Sequence, residues 1–279
     1  MIRRLPRLLV TALIVGIGIS QLVFTLSDWH LRDAGAYWDA AWRLRNDDLL
    51  FPPLADPEAS EVYRYSSWFA WAWVPLTYLP RGVADIAWST VLLAASAAAL
   101  VPLARQRAWL AVAFFAPILV GISAIGNVHP LIVAALVLGV ERRSGPMWIG
   151  MAASLKAFPL LFAATYLGRR QWGRVAATLA ITAALVAPTL LHDLSHYPAG
   201  AGSAGMLVAW PPVYVVAVAA GILVSVRLAT REVGWLASAT TVALALPRFF
   251  VYDVSYLMVG FARPSDRVGA SSRQDAGRG

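Results

Sequence analysis

The sequence predicts an all-α membrane protein, and three observations lead to this fold class. Hydrophobic residues make up 59% of the 279 positions and charged residues only 14%, whereas charged residues are about 25% of an ordinary soluble chain. Apolar runs long enough to cross a bilayer, about 20 residues each, recur along the chain. Short arginine-containing stretches separate these runs. The pattern predicts about eight transmembrane helices, a re-entrant hairpin, and interfacial helices in the first outer loop.

The composition excludes several other classes of protein. The chain contains no cysteine, which excludes a disulfide scaffold, zinc sites built on sulfur and iron–sulfur clusters. Its apolar content excludes a disordered chain. The net charge of +8 would suit nucleic-acid binding if the arginines formed one patch. They lie instead between the apolar runs, as expected of cytoplasmic loops, so we expect no nucleic-acid partner.

The first apolar run, residues 8–26, follows a basic start and predicts a membrane anchor with its N-terminus in the cytoplasm. A cleaved signal peptide is the alternative. That run exceeds the usual apolar core of about 7–15 residues, and no small-x-small cleavage site precedes Ser27. We therefore expect an uncleaved anchor followed by an outer loop over 27–80.

The later apolar runs require one hairpin. They lie near 83–103, 108–126, 128–140, 146–167, 175–191, 207–226, 233–247 and 252–262. If each run crossed once, the arginines at 142–143 and at 169–174 would lie on opposite sides, against the positive-inside rule. A re-entrant hairpin over 146–167, bent at Lys156-Ala-Phe-Pro159, places every basic stretch in the cytoplasm. We expect one transmembrane domain over 1–262 and a disordered cytoplasmic tail over 263–279.

This topology concentrates reactive side chains outside a bacterial plasma membrane. The predicted outer segments are 27–66, 126–129, 192–206 and 248–253. They contain all four histidines, and eight of the fifteen acidic residues lie between positions 28 and 61. A multi-pass protein with both termini inside would thus have its active site on the outer face.

The first outer loop contains two predicted interfacial helices. Apolar residues at 34, 37, 38, 41 and 42 follow the spacing of an amphipathic helix. A second stretch, residues 66–80, has three tryptophans within six positions. Indole rings favour the headgroup region. We expect both helices to lie against the membrane surface.

Five short motifs stand out along the chain. In chain order they are Asp33-Ala-Gly-Ala-Tyr37, Tyr65-Ser-Ser-Trp-Phe, Gly126-Asn127-Val-His129, Gly150-Met-Ala-Ala-Ser-Leu-Lys156-Ala-Phe-Pro159 and Pro247-Arg-Phe-Phe-Val-Tyr252-Asp253. Together they resemble one known family, the GT-C glycosyltransferases of family 87. The chain departs from the family pattern where Tyr65-Ser-Ser replaces a common Tyr-Pro-Pro. It also has His129 where the family more often has Asn.

The resemblance implies a multi-span enzyme that transfers a sugar, often mannose, from a polyprenyl phosphate at the outer face. The donor would be a co-substrate, and no cofactor is expected. The expected partners are membrane lipid, the polyprenyl-phosphate sugar and a lipid-linked or cell-envelope glycan acceptor. A non-catalytic carrier or flippase of a lipid-linked substrate is the alternative. A secondary transporter is less favoured because the two halves show no internal repeat.

The same motifs supply the candidate site residues. Asp33 matches the family's first-loop acid and is the predicted general base, with Asp28 as the alternative base. Asp33 could also have a purely structural role, because an acid in the first turn of a helix complements the helix dipole. Lys156, the single lysine, lies inside an apolar run, where a charge costs about 2.5–3.5 kcal/mol. We predict that Lys156 and Arg248 bind the donor phosphate. The alternatives are that Lys156 extends to an interface or pairs with a buried carboxylate, and that Arg248 pairs with Asp253. The predicted substrate contacts are Tyr37, Asn127, His129, Tyr252 and Asp253.

A metal site has weaker support. His192, Asp193 and His196 have a spacing compatible with ligation, but they lie in a segment rich in glycine, alanine and serine. Solvation or substrate contact explains these residues better than metal binding does. We therefore expect no metal ligands.

Overall fold

A computed structural model describes residues 11–12, 15–16, 18–20, 23, 27, 30–53, 56, 62–198, 207, 210–247 and 249–262. Every regular element within these ranges is helical, which confirms the all-α class. Three predictions lie outside the described residues: Asp28 as alternative base, Arg248 as phosphate ligand, and the tail over 263–279.

The helices follow one another through short turns. The α-helices are α1 Arg32–Arg45, α2 Ser67–Trp73, α3 Arg81–Arg105, α4 Trp109–Ala124, α5 His129–Gly139, α6 Gly145–Leu155, α7 Ala163–Gly168, α8 Trp172–Val186, α9 Pro211–Leu228, α10 Gly234–Ala245 and α11 Met258–Phe261. Short 3₁₀-helices span Val74–Tyr78, Phe158–Phe162, Ala187–Leu191 and Val251–Leu257.

Three of these helical stretches are long and apolar enough to cross a membrane. They are Arg81–Arg105, Trp172–Leu191 and Pro211–Leu228. Shorter apolar helices of 10–17 residues include α4, α5 and α10. The chain therefore has the helices of a membrane protein, and the count of about eight crossings stays a prediction.

The basic stretches meet at one end of the helices, which we call the arginine end (141–143, 169–174 and 227–234). Arg174 donates a hydrogen bond from Nη2 to the carbonyl of Arg142 at 2.7 Å. Arg169 donates from Nε to the carbonyl of Ala229 at 2.8 Å and pairs with Glu141 at 3.0 Å. Stretches far apart in sequence thus share one side, as the charge distribution predicted.

The segment from the start of α6 to the end of α7, residues 145–168, doubles back on itself. Tyr166, near the end of the segment, donates a hydrogen bond to the carbonyl of Val140, just before its start. A Cβ on Gly145 would lie 2.1 Å from the Tyr166 hydroxyl, so the two arms are in direct contact. Lys156 lies at the far tip, in extended conformation directly after α6. A re-entrant course through the membrane stays a prediction.

Helix α1 forms as the amphipathic spacing predicted, but protein covers most of its apolar face. Ala34, Tyr37 and Ala41 are 0% exposed and pack against α2 and the 3₁₀-helix Val74–Tyr78. The sequence predicted that this face lies on the membrane. The difference arises because the aromatic residues of 63–73 fold over α1, leaving Trp42 and Trp71 about half exposed.

Candidate active site

A tight turn between α4 and α5 fixes the backbone around Asp33. The amides of Leu31 and Asp33 donate to the carbonyls of Ala124 and Ile125, at 3.1 and 2.9 Å. Gly126 has a φ of +81°, a conformation that favours glycine. A Cβ on Gly126 would lie only 2.8 Å from the Cβ of Ala34. The start of α1 therefore sits directly on this turn.

Asn127 connects the turn to the carboxylate of Asp33. Its Nδ2 donates a hydrogen bond to Oδ2 of Asp33, and its Oδ1 accepts from the amide of His129 at 2.9 Å. The hydroxyl of Tyr37 accepts from the amide of Val128 at 3.2 Å and donates to the hydroxyl of Tyr65 at 3.2 Å. These bonds leave the Asp33 carboxylate with one defined orientation.

The environment of Asp33 suits a base. Burial raises the pKa of its carboxyl above the usual 3.8, while the hydrogen bond from Asn127 and the charges of Lys156 and Arg64 oppose that rise. Burial and the nearby Asp33 carboxylate likewise raise the pKa of the Tyr65 phenol. A carboxylate that binds protons more readily than usual, beside two cations, can accept a proton from a hydroxyl.

Lys156 lies at the tip of the hairpin, directly after α6. Its Nζ is 4.8 Å from the centre of the Tyr252 ring, a cation–π contact. Asp253 and Asp33 both act on it electrostatically. The ammonium makes no hydrogen bond with any described residue, so its three donors can serve a phosphate.

Residues 250–256 form the third part of the site. Asp253 accepts from the amide of Phe250 at 2.9 Å, which caps the 3₁₀-helix Val251–Leu257. His129 Nε2 and Ser255 Oγ are 2.8 Å apart, and the rings of Tyr252 and Tyr256 pack edge-on against the imidazole. The turn, the hairpin tip and this helix thus converge on one place.

The structure brings together the described candidate residues but sorts them into two layers. Asp33, Lys156 and Tyr252 are half-buried and remain accessible. Tyr37 and His129 are 0% exposed. The remaining two, Asp253 and Asn127, are 2% and 6% exposed. Five aromatic rings surround Tyr37, and the other three residues make hydrogen bonds with protein groups. Direct substrate contact by these four residues stays a prediction.

Sequence reasoning missed two members of the site. Arg64 acts electrostatically on Asp33 and is half-buried. Tyr65 was quoted as part of a motif but given no role, although its hydroxyl contacts Tyr37. The signal was present: Arg64 is a basic residue flanked by two tyrosines and directly precedes the motif that begins at Tyr65.

The histidines of the 192–196 segment form no metal centre with the described residues. Asp193 accepts from the amide of Ser195 at 2.9 Å, a local turn. His196 lines a small cavity with Arg43 and Phe51. Within the described ranges, no three His, Asp or Glu side chains are grouped to hold a metal ion. The expectation of no metal stays a prediction.

Comparison with known proteins supports the family resemblance. The sequence model of glycosyltransferase family 87 matches residues 63–197. This range holds the Tyr65 motif, the 126–129 turn and the Lys156 hairpin, and the match confirms the resemblance that those motifs suggested. No curated protein and no solved structure matches the chain.

Proposed function

We propose that this chain, a membrane glycosyltransferase by its match to family 87, transfers a hexose from a polyprenyl phosphate to a lipid-linked or glycan acceptor. The observation that carries the proposal is the Asp33 carboxylate, held by Asn127 and electrostatically coupled to Lys156. Transfer from a lipid phosphate needs a base for the acceptor and a cation for the leaving group. Asp33 and Lys156 act on each other electrostatically.

In the proposed reaction Asp33 accepts the proton of the acceptor hydroxyl. The acceptor oxygen forms a bond to the anomeric carbon while the bond from that carbon to the phosphate oxygen breaks. The electron pair of the broken bond leaves with the lipid phosphate. Because a single displacement exchanges one oxygen for the other on opposite faces, the sugar is transferred with inversion.

Lys156 stabilises the negative charge that develops on the departing phosphate. An ammonium resting on an aromatic ring keeps its N–H donors, and in a site with little water such a charge is worth far more than in bulk water. Tyr252 holds the ammonium in place. Arg248, five residues before Asp253 in sequence, is proposed as a second phosphate ligand.

The distribution of charge supports a reaction at the outer face of a bacterial plasma membrane. Asp33 and the 126–129 turn lie at the end of the helices away from the arginine end, because α5 begins at His129 in that turn and ends at Gly139, directly before residues 141–143 of the arginine end. Under the positive-inside rule the arginine end is cytoplasmic. We propose about eight crossings, a re-entrant Lys156 hairpin and cytoplasmic termini.

The test uses the purified chain in liposomes with polyprenyl-phosphate mannose, labelled in the sugar, and an extract of bacterial membrane lipids as acceptor. Asp33→Asn should lower the rate of label transfer by about 10²–10⁴-fold, the usual contribution of a general base. Asp39→Asn is the matched control, because Asp39 is an exposed residue of the same helix. Full transfer by Asp33→Asn would refute the base assignment, and movement of label across the bilayer without transfer would favour a carrier.

A further inference from the structure

Four consecutive residues, Tyr65 to Trp68, contact both halves of the proposed active site. They lie just before and at the start of α2. On one side they touch the residues that orient Asp33, and on the other they touch the hairpin that ends in Lys156. We call them the Tyr65–Trp68 segment.

Two side chains of the segment bind Ser154, two residues before Lys156. The hydroxyl of Ser66 donates to the Ser154 carbonyl, and the indole Nε1 of Trp68 donates to the Ser154 hydroxyl at 3.0 Å. The Ser154 hydroxyl in turn donates to the carbonyl of Met151 at 2.8 Å. Both Ser66 and Ser154 are buried, so water does not compete for these bonds.

The bonds fall at the point where α6 ends. The last carbonyls of a helix have no partner within it and need one from elsewhere. Lys156 leaves the helix in extended conformation, with φ −136° and ψ 118°, so the helix does not continue to supply donors. The Ser66 hydroxyl supplies one donor, and it thereby fixes the backbone from which the Lys156 side chain extends.

The next residue ties the segment to α8. The amide of Ser67 donates to Oγ1 of Thr189 at 2.9 Å, and the Thr189 hydroxyl contacts the Ser67 hydroxyl at 3.4 Å. Thr189 lies in the 3₁₀-helix that follows α8, and α8 packs along α6. The segment is thus anchored to the neighbour of the hairpin as well as to the hairpin.

The first residue faces the other half of the site. The Tyr65 hydroxyl accepts from the Tyr37 hydroxyl at 3.2 Å, and the Tyr37 hydroxyl accepts from the amide of Val128, next to Asn127, at 3.2 Å. The carbonyl of Ser66 accepts from the Tyr63 hydroxyl at 2.7 Å, which stiffens the backbone between the two contacts. Proline at 66 or 67 would lack the hydroxyl, and at 67 also the amide, that make these bonds.

We propose that the Tyr65–Trp68 segment sets the separation of Asp33 and Lys156, and that Ser66 is a positioning residue acting through the Lys156 hairpin. This inference rests on the proposed function for its consequence in phosphate binding. The contacts themselves are independent of it. Ser66 touches no proposed substrate atom, so its effect must pass through Lys156.

One measurement tests the positioning role of the Tyr65–Trp68 segment without any sugar transfer. The chain has no cysteine, so Ala157→Cys gives a single thiol on the exposed residue beside Lys156. We expect Ser66→Ala to speed its labelling by a water-soluble maleimide several-fold, because the tip loses an anchor. Trp68→Phe, which removes the other bond to Ser154 but keeps a ring, should act in the same direction. Val251→Cys is the control thiol, and its rate should not change. Equal labelling of Ala157→Cys with and without Ser66→Ala would overturn the proposal.

A second measurement tests the consequence for phosphate. Radiolabelled farnesyl phosphate, a short polyprenyl phosphate, is bound to the detergent-solubilised full chain. Ser66→Ala should weaken its binding roughly fivefold, as expected for one lost hydrogen bond, whereas Ser89→Ala should leave it unchanged.

A double variant of Ser66 and Lys156 separates the positioning role of Ser66 from the proposed function. In the Lys156→Met background, Ser66→Ala should have no further effect on farnesyl phosphate binding. A full additional loss in that background would overturn the positioning role. If Lys156→Met binds farnesyl phosphate as well as the unaltered chain, the proposed phosphate role of Lys156 fails. The maleimide labelling rates still test whether the Tyr65–Trp68 segment anchors the hairpin tip.

Discussion

The two ends of the helices both contain cations beside aromatic rings, but they use them differently. At the arginine end, Arg169 lies over Trp235 at 5.2 Å, pairs with Glu141 and donates to the carbonyl of Ala229. At the other end, Lys156 lies over Tyr252 at 4.8 Å, and its ammonium makes no hydrogen bond with any described residue. Arg169 thus donates hydrogen bonds to protein groups, whereas the donors of Lys156 have no partner among the described residues.

The difference separates a structural cation from a candidate ligand-binding one. Glu141 also accepts from the indole of Trp235, so the arginine end forms a closed network that joins three turns. At the Lys156 end Asn127, His129 and Asp253 each make a hydrogen bond with protein, although Nδ1 of His129 has no partner among the described residues. The half-buried Asp33 and Lys156 interact electrostatically. Changes at the two ends should therefore affect different measurements.

The largest effect is expected at Lys156. Replacing it by methionine removes the charge and keeps an unbranched side chain, so transfer from polyprenyl-phosphate mannose should fall by about 10–100-fold, the usual worth of a charged hydrogen-bond donor. The melting temperature should change little. Arg143→Met, an exposed arginine of the other end, is the control. Equal losses of transfer in the two variants would erase the contrast between the ends.

Gly126→Ala should damage stability at the site end. The new Cβ would meet Ala34 in a backbone with φ +81°, a strain of about 1–3 kcal/mol. The melting temperature should fall by several degrees, and transfer should fall with it because Asn127 moves. Gly82→Ala is the matched control, since a Cβ there meets nothing within 4 Å. A Gly126→Ala variant as stable as Gly82→Ala would contradict the geometry of the turn.

Arg169→Met should give the reverse pattern to Lys156→Met. It breaks a pair that is partly exposed and one hydrogen bond to a carbonyl, so we expect a loss of about 1–2 kcal/mol in unfolding free energy. The KM for the polyprenyl-phosphate donor should stay the same. Thermal unfolding and initial-rate kinetics on one preparation measure both. A raised KM with an unchanged melting temperature would show that the arginine end takes part in catalysis.

The smallest expected effect is a change in pH dependence. Burial raises the pKa of Asp33 above 3.8, and the base works only when deprotonated, so transfer should fall as the pH drops through that raised value. Arg64→Met removes a charge that lowers this pKa, and the acid limb of the rate profile should move to higher pH. Arg43→Met, in the same outer segment, should leave the limb in place. A shift to lower pH in Arg64→Met would contradict the proposed contact.

Much of the site was predictable because charge and depth restrict where a residue can lie. Lys156 stands out as a lysine within an apolar run, and the arginines on both sides of that run required a bend. The structure has the bend, with Arg174 bonded to the carbonyl of Arg142. Asp33 and Asn127 were predicted separately from motifs, and they proved to be hydrogen-bonded partners 94 residues apart.

Other features could not be predicted because they depend on which surfaces meet. The apolar spacing of α1 gave the helix correctly, but nothing local to α1 shows that aromatic residues from 63–73 cover it instead of lipid. Nor does the sequence around Ser66 reveal its bond to Ser154, 88 positions away. Serine is common on protein surfaces, so the residue type alone does not indicate that Ser66 has a buried hydrogen-bond partner.

The sequence alone determined the membrane class, the helices and the side on which the arginines collect, because hydrophobicity and charge act on each segment separately. Only the tertiary structure decided which polar residues remain accessible and which support them. Tyr37, His129 and Asp253 have the chemistry to contact substrate, yet packing buries them. Asp33 and Lys156 act on each other electrostatically because the 126–129 turn and the hairpin converge, a result of long-range contacts that no single segment contains.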